Sequence, residues 1–79
     1  MSTAAPKVLL HNRCKGRAKI EYTITSKQGP GHQPTFTCEV QINGTTWGTG
    51  SGASKDAAET DAAAAAVRYG DERGAFGTL

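Results

Sequence analysis

The chain has 79 residues and a net charge of +2, and a chain of this length forms one small domain because it cannot build two independent cores. Apolar residues make up 37% of it and charged residues 20%, which excludes a purely disordered segment. No apolar run is long enough to span a bilayer, and no hydrophobic stretch near the start resembles a signal peptide. We therefore expect an intracellular protein, cytoplasmic or nuclear, with no membrane partner.

The charge is unevenly distributed along the chain. Residues 1–27 carry six basic residues against Glu21 alone, a local charge of +5. The rest of the chain is net negative, because acidic residues are concentrated after residue 55. A basic stretch normally forms a solvated face, and any attraction for a polyanion would come from the first third of the chain.

The first half of the chain predicts one helix and one strand. A helix is expected over 6–15, because proline suits the first helical position and Gly16 ends the segment. Apolar residues then alternate with polar ones at Ile20, Tyr22 and Ile24. This period of two is typical of a strand with one buried face.

Two further strands are predicted around a tight turn. Residues 28–34 contain two glycines and two prolines, a composition that favours a loop. Alternation resumes over 36–42, and Asn43-Gly44 then indicates a hairpin because both residues tolerate positive φ. The third strand is expected over 45–49.

The last third of the chain predicts a helix followed by a flexible tail. Glycine occupies every second position before this helix, at Gly48, Gly50 and Gly52. The alternative to a role in binding is that they serve only a tight turn and close packing of helix on sheet. Ser54 is the expected N-cap of an alanine-rich helix that ends near Tyr69, with Gly70 as the stop. Residues 70–79 lack an apolar period, and we expect them to be flexible.

The predicted order of elements defines an α+β fold, α-β-β-β-α, with a three-stranded antiparallel sheet and two helices packed on one face. We divide the chain into a flexible N-terminus (1–5), the domain (6–69) and a flexible C-terminal tail (70–79). The sequence contains no paired-carboxylate site, no G-x-S-x-G elbow and no Walker lysine loop. We therefore expect no catalytic activity.

The two cysteines, Cys14 and Cys38, allow at most one disulfide, and a reducing compartment with two buried thiols is the expectation. Together with His11 and His32 they form a possible Cys2His2 set. Its spacing matches no common zinc pattern, and we predict neither a metal nor any other cofactor.

Three stretches of the chain together resemble the double-stranded RNA-binding domain family. The helix PKVLLHNRC resembles the opening helix of the family, residues 29–32 (GPGH) match its GPxH loop, and Phe36 stands where its second strand buries an aromatic. Residues 48–55 (GTGSGASK), followed by Ala58, Glu59 and the Ala62-Ala63 pair, are similar to its G-x-G-x-G-x-S-K-K-x-A-E/K-x-x-A-A pattern. The resemblance covers 6–69.

This resemblance implies binding to double-stranded RNA. Such modules read the shape of the A-form duplex, its 2′-hydroxyls and its phosphates over about 16 base pairs. In the family the first helix meets one minor groove, the loop enters the next, and the start of the last helix crosses the intervening phosphates. With Lys15 as a supporting contact, the expected RNA-binding residues are Asn12, Lys15, Gly29, Pro30, Gly31, His32, Ser54 and Lys55.

Three positions depart from the family pattern, and a fourth carries the acidic one of its two usual residues. Asn12 stands where a glutamate is frequent, and Val8 where a polar residue is frequent. Asp56 replaces the second lysine of the phosphate clamp, and Glu59 occupies a third position that varies between lysine and glutamate. We expect weaker RNA binding than is usual in the family unless the basic residues between 7 and 19 compensate.

The leading interpretation is a non-catalytic module that binds A-form double-stranded RNA by shape. The resemblance also implies a larger RNA-processing protein, such as an RNase III or Dicer-like enzyme, as its context. The alternative is a degenerate member of the same fold that mediates docking to a protein partner or homodimerisation, with weak or no RNA binding.

Overall fold

A computed structural model describes residues 5–29 and 34–79. Its elements are helix α1 (Pro6–Cys14), strands β1 (Ile20–Gln28), β2 (Thr35–Ile42) and β3 (Thr45–Gly52), helix α2 (Lys55–Arg73) and a short 3₁₀ helix (Ala75–Thr78). The α-β-β-β-α order and the α+β class predicted from the sequence are confirmed. No helix in these two described ranges is long and apolar enough to cross a membrane.

The three strands form one antiparallel sheet in the order β1-β2-β3. The predicted hairpin joins β2 to β3, with positive φ at Asn43 (53°) and Gly44 (83°). Asn43 also fastens the turn to the start of β1, since its Oδ1 accepts a hydrogen bond from the Lys19 N–H (2.9 Å) and its own N–H donates to the Lys19 carbonyl (2.9 Å).

The core lies between one face of the sheet and the two helices. Its buried members are Leu10, Cys14, Cys38, Val40, Ile42, Trp47, Ala58, Ala62, Ala63 and Ala66. The opposite face of the sheet carries polar side chains, as in the row formed by Thr23, Glu39 and Thr49. Both cysteines are free thiols in this core, as predicted, and burial raises the pKa of each.

The alternating glycines let α2 lie directly on β3. A Cβ at Gly50 would fall 2.5 Å from the carbonyl carbon of Asp61 and closer still to the Ala62 amide nitrogen. A Cβ at Gly48 or at Gly52 would likewise lie less than 3.0 Å from backbone or Cβ atoms of α2. The packing interpretation of this run is therefore confirmed, and β3 extends through it to Gly52 rather than ending at residue 49.

The end of the chain differs from the expectation. Helix α2 passes Gly70 and ends at Arg73, with Gly74 as its left-handed C-cap (φ 64°). Gly70 is a contact point instead of a stop, because a Cβ there would lie 2.6 Å from Phe76 Cδ2. The segment that was expected to be a flexible tail contains a 3₁₀ helix. Within it, the centroid of the Phe76 ring lies 5.2 Å from that of the Trp47 ring.

The possible Cys2His2 set cannot be assembled from what the structure describes. Its cysteines are in the core, His11 is exposed on α1, and His32 lies outside the described residues. Over 5–29 and 34–79 no cluster of three or more histidine, cysteine, aspartate or glutamate side chains is placed to hold a metal ion.

Candidate nucleic-acid interface

The sheet register brings the β1–β2 loop and the start of α2 to the same end of the sheet. Lys27 of β1 pairs with Phe36 of β2, which pairs in turn with Gly52 of β3. The loop begins two residues after Lys27, at Gly29, and α2 begins three residues after Gly52, at Lys55. Two of the three surfaces predicted to contact RNA are therefore neighbours.

The loop itself is described only at its edges. Gly29 is exposed and has a φ of 102°, a left-handed conformation that glycine adopts without strain. The predicted contacts Pro30, Gly31 and His32 lie outside the described residues. At the base of the loop, Lys27 Nζ lies 5.6 Å from the centroid of the Phe36 ring, a distance at which the ring attracts a cation. The base of the loop therefore carries a positive charge.

The start of α2 has the predicted cap and the predicted lysine. The Ser54 Oγ accepts a hydrogen bond from the Ala57 N–H at 3.1 Å, so the N-cap is confirmed. That hydroxyl keeps its own proton to donate to a ligand. Lys55 is the first residue of the helix and is exposed. Its ammonium therefore stands where free N–H groups and the helix dipole attract anions.

A lysine from α1 pairs with both acidic residues of this helix start. Lys7 Nζ lies 3.0 Å from Asp56 Oδ1 and 2.6 Å from Glu59 Oε1. The hydrogen bond to Glu59 and, to a smaller extent, the one to Asp56 raise the pKa of Lys7 above its ordinary value, so the ammonium stays charged. The carboxylate of Asp56, which departs from the family pattern, and that of Glu59 are thus partly neutralised by the protein itself. Local sequence patterns carry no signal for this cluster, because Lys7 is 49 residues from Asp56 and 52 residues from Glu59.

Helix α1 runs alongside α2 in the same direction. Lys7, near the start of α1, pairs with the first turn of α2, whereas Arg13, near the end of α1, pairs with Asp71 in the last turns of α2. The N-termini of the two helices therefore lie at one end of the pair. The start of α1 is therefore the end that lies nearer to Lys55, and the end of α1 lies farther from it.

Asn12 and Lys15 lie away from the other predicted contacts. Both are exposed, and Lys15 ends α1 as its left-handed C-cap (φ 48°). The chain then enters β1 at Ile20, the end of the strand opposite to the loop, and a strand of this length spans about 26 Å. Gly29, Ser54 and Lys55 therefore lie toward one end of the sheet, and Asn12 and Lys15 lie toward the other.

Internal ion pairs engage much of the basic stretch. Lys7 and Arg13 pair with α2, and Lys19 lies 3.8 Å from Glu21. Of the basic residues between 7 and 19, only Lys15 and Arg17 have no ion pair within the described ranges. Three of the five basic residues that were expected to compensate for Asp56 therefore already have a carboxylate partner within the protein.

Comparison with known proteins agrees with the fold and with the motif positions. The sequence model of a family described as "Double-stranded RNA binding motif" matches residues 6–69. Ribonuclease 3 of Enterococcus faecalis is 46% identical over 54 residues, which are 68% of this chain and 24% of that protein. Ribonuclease 3 of Bacillus cytotoxicus is 45% identical over 53 residues, and that of Bacillus cereus strain AH187 is 43% identical over 53; these are 67% of this chain and 22% of each relative. The chain thus matches about a quarter of the length of these curated relatives. With the motif matched from the first helix into the last, it belongs to the double-stranded RNA-binding motif family.

Proposed function

We propose that this domain binds A-form double-stranded RNA by shape and without catalysis. The observation that supports the proposal is that, in a fold of this family, the sheet register brings the ends of β1 and β2 that flank the loop to the same end of the sheet as the start of α2. Asn12 and Lys15 add exposed side chains at the end of α1, away from the helix start where Lys7 meets Asp56. A reader of duplex shape needs such separated surfaces, because successive minor grooves face it at a distance.

Each surface has a separate task in this proposal. The ammonium of Lys55 and the free N–H groups at the start of α2 bind phosphates of the intervening major groove. Residues 29–32 enter one minor groove, where loop backbone and the imidazole of His32 bind 2′-hydroxyls. Asn12 meets the other minor groove with an amide that both donates and accepts, and Lys15 adds a phosphate contact beside it. None of these contacts reads a base edge, so no sequence preference is expected.

The parent protein is part of the proposal. The relatives that match this chain are ribonucleases 3, and the matched segment is about a quarter of each. We propose that the domain delivers duplex RNA to a larger RNA-processing protein of that kind. In this proposal any nuclease activity belongs to other parts of that protein, since the family to which this chain belongs is described as an RNA-binding motif.

One alternative is favoured by specific observations. The side chain of Asp56 is 85% exposed at the phosphate-binding helix start, and Val8 is a large apolar residue that is 49% exposed on α1. An acid repels phosphate, and an exposed valine suits a protein surface better than a hydrated groove. In this alternative the helix face docks a protein partner or a second copy of the chain, and RNA binding is weak or absent.

Titration into an RNA duplex of about 20 base pairs, longer than the footprint of about 16, separates these functions. The DNA duplex of the same sequence serves as the control, and fluorescence anisotropy is read at about 50 and about 200 mM salt. Saturable binding that is tighter for RNA and falls with salt supports the shape reader. No RNA binding at low salt would refute it and favour the protein-docking alternative.

Charge variants at the start of α2 test the assigned contacts. Lys55→Ala should weaken binding and flatten the plot of log affinity against log salt by roughly 0.9 for the lost phosphate. Asp56→Lys should strengthen binding. The control is Arg68→Ala, an exposed cation about 20 Å farther along the helix axis. If neither change at the helix start alters affinity more than the control, α2 does not contact RNA.

A further inference from the structure

The cluster formed by Lys7, Asp56 and Glu59 stands at the surface proposed to bind phosphate. Asp56 and Glu59 are three residues apart on α2 and therefore share one face of its first turns. Lys7 reaches both from α1, at 3.0 and 2.6 Å. Lys55 immediately precedes Asp56, so these four side chains carry two positive and two negative charges. Without Lys7 the same surface would have a net negative charge.

The surroundings of Lys7 hold its ammonium in this position. The side chain is 32% exposed, and that of Glu59 is 28% exposed, so their attraction is less screened than that of two fully solvated charges. The pair with Asp56, which is 85% exposed, is screened more strongly by solvent. The ammonium also lies 5.4 Å from the centroid of the Tyr22 ring, a distance at which the ring face attracts a cation. Carboxylates and an aromatic ring thus surround the ammonium on the protein side.

Transfer of Lys7 to an RNA phosphate would be electrostatically unfavourable. A lysine ammonium has three N–H donors, and two of them are engaged with the carboxylates. Moving to a phosphate would leave Asp56 and Glu59 unpaired beside the same phosphate backbone. The gain from one new contact would be offset by repulsion from two uncompensated acids, because like charges in proximity disfavour each other.

We infer that Lys7 is a positioning residue for RNA binding, which keeps its ion pairs in the complex and neutralises Asp56 and Glu59 so that Lys55 and the α2 N-terminus can approach phosphate. This inference rests on the proposed function. It also explains how a helix start that carries two acids is compatible with a polyanion.

A set of variants separates this indirect role from a direct contact. Lys7→Met keeps the length of the side chain and removes its charge, and it should weaken duplex binding about three- to tenfold, as expected for a charge at the rim of an interface. In the Asp56→Asn/Glu59→Gln background the same change should alter affinity by less than about twofold, because no acid remains to be neutralised. Arg68→Met is the matched control for net charge and should have less than about a twofold effect.

The outcomes distinguish the two levels of the argument. If the unmodified domain does not bind the duplex, the proposed function fails and this inference fails with it. If it binds and Lys7→Met lowers affinity equally in both backgrounds, Lys7 contacts phosphate itself and the inference alone is overturned. A variant that is less stable on thermal unfolding but binds RNA as tightly as the unmodified domain would show a purely structural role, and would overturn it as well.

A measurement on the unmodified domain covers the case in which Lys7→Met does not fold. Hydrogen-bond scalar couplings between the Lys7 ¹⁵Nζ and carboxylate ¹³C nuclei should be present in the free domain and persist in the RNA complex. Their loss, with the appearance of a coupling from Lys7 Nζ to a ³¹P nucleus, would overturn the inference.

Discussion

Replacement of Gly50 by alanine tests how closely α2 packs on β3. The new methyl carbon would lie 2.5 Å from the carbonyl carbon of Asp61 and 2.7 Å from its Cβ, whereas ordinary contacts of a Cβ begin at 3.4 Å. The obstacles are backbone and Cβ atoms of a helix that carries four buried alanines, so no flexible side chain can move aside. The whole helix would have to retreat from the sheet by roughly 1 Å, which would open the core along its length.

The expected cost is a large share of the stability of the domain. Overpacking by one methyl group typically costs about 1–3 kcal/mol, and we expect the upper end or beyond for Gly50→Ala because the contact is with backbone. A domain of this size has a free energy of unfolding of roughly 4–12 kcal/mol. At a urea m-value of about 1 kcal/mol per molar, the midpoint of unfolding should fall by roughly 3 M or more.

Urea unfolding monitored by the fluorescence of Trp47 measures this cost, since that single tryptophan is 8% exposed in the core. Gly77→Ala is the control, because a Cβ at Gly77 meets no atom within 4 Å. It should leave the midpoint nearly unchanged. A Gly50→Ala midpoint close to that of the control would refute the close packing described above.

Three further changes have defined outcomes. Ser54→Ala removes the N-cap of α2 and should cost about 1 kcal/mol in urea unfolding; no loss would show that the cap is dispensable. Phe76→Ala uncovers Trp47 and should cost about 2 kcal/mol, since the ring is only half-buried, with a red shift of the native emission; unchanged emission would show that the 3₁₀ helix does not cover this side chain. The hydrogen bond from the Thr46 hydroxyl (2.6 Å) is the main cause that lowers the pKa of Glu39. The stabilising effect of this bond is present above the ordinary pKa of a glutamate and is lost as the pH falls through the lower pKa of Glu39 in the folded protein. Thr46→Val should therefore raise the pKa of Glu39 toward 4.5 in an NMR titration, and an unchanged pKa would contradict the role of this hydrogen bond.

Local patterns were sufficient to predict the order of elements. The alternation in β1 and β2, the Asn43-Gly44 turn and the Ser54 cap each depend on residues adjacent in sequence, and each is confirmed. The resemblance to the family rested on the same kind of information, because its loop and glycine motifs are short segments at defined positions. The loop contacts remain predictions, since residues 30–33 lie outside the described structure.

The sequence by itself determined the fold class, the turn and the cap, whereas tertiary structure decided how charges and glycines are used. Gly70 looked like a helix stop because glycine is common there, but Phe76 packs against it and the helix continues to Arg73, with Gly74 as its C-cap. Lys7 looked like one member of a basic stretch, but folding places it between two acids about 50 residues away. Hydrogen bonds within turns and caps are set by neighbours in sequence, while packing and ion pairing are set by neighbours in space, and only the folded chain specifies those.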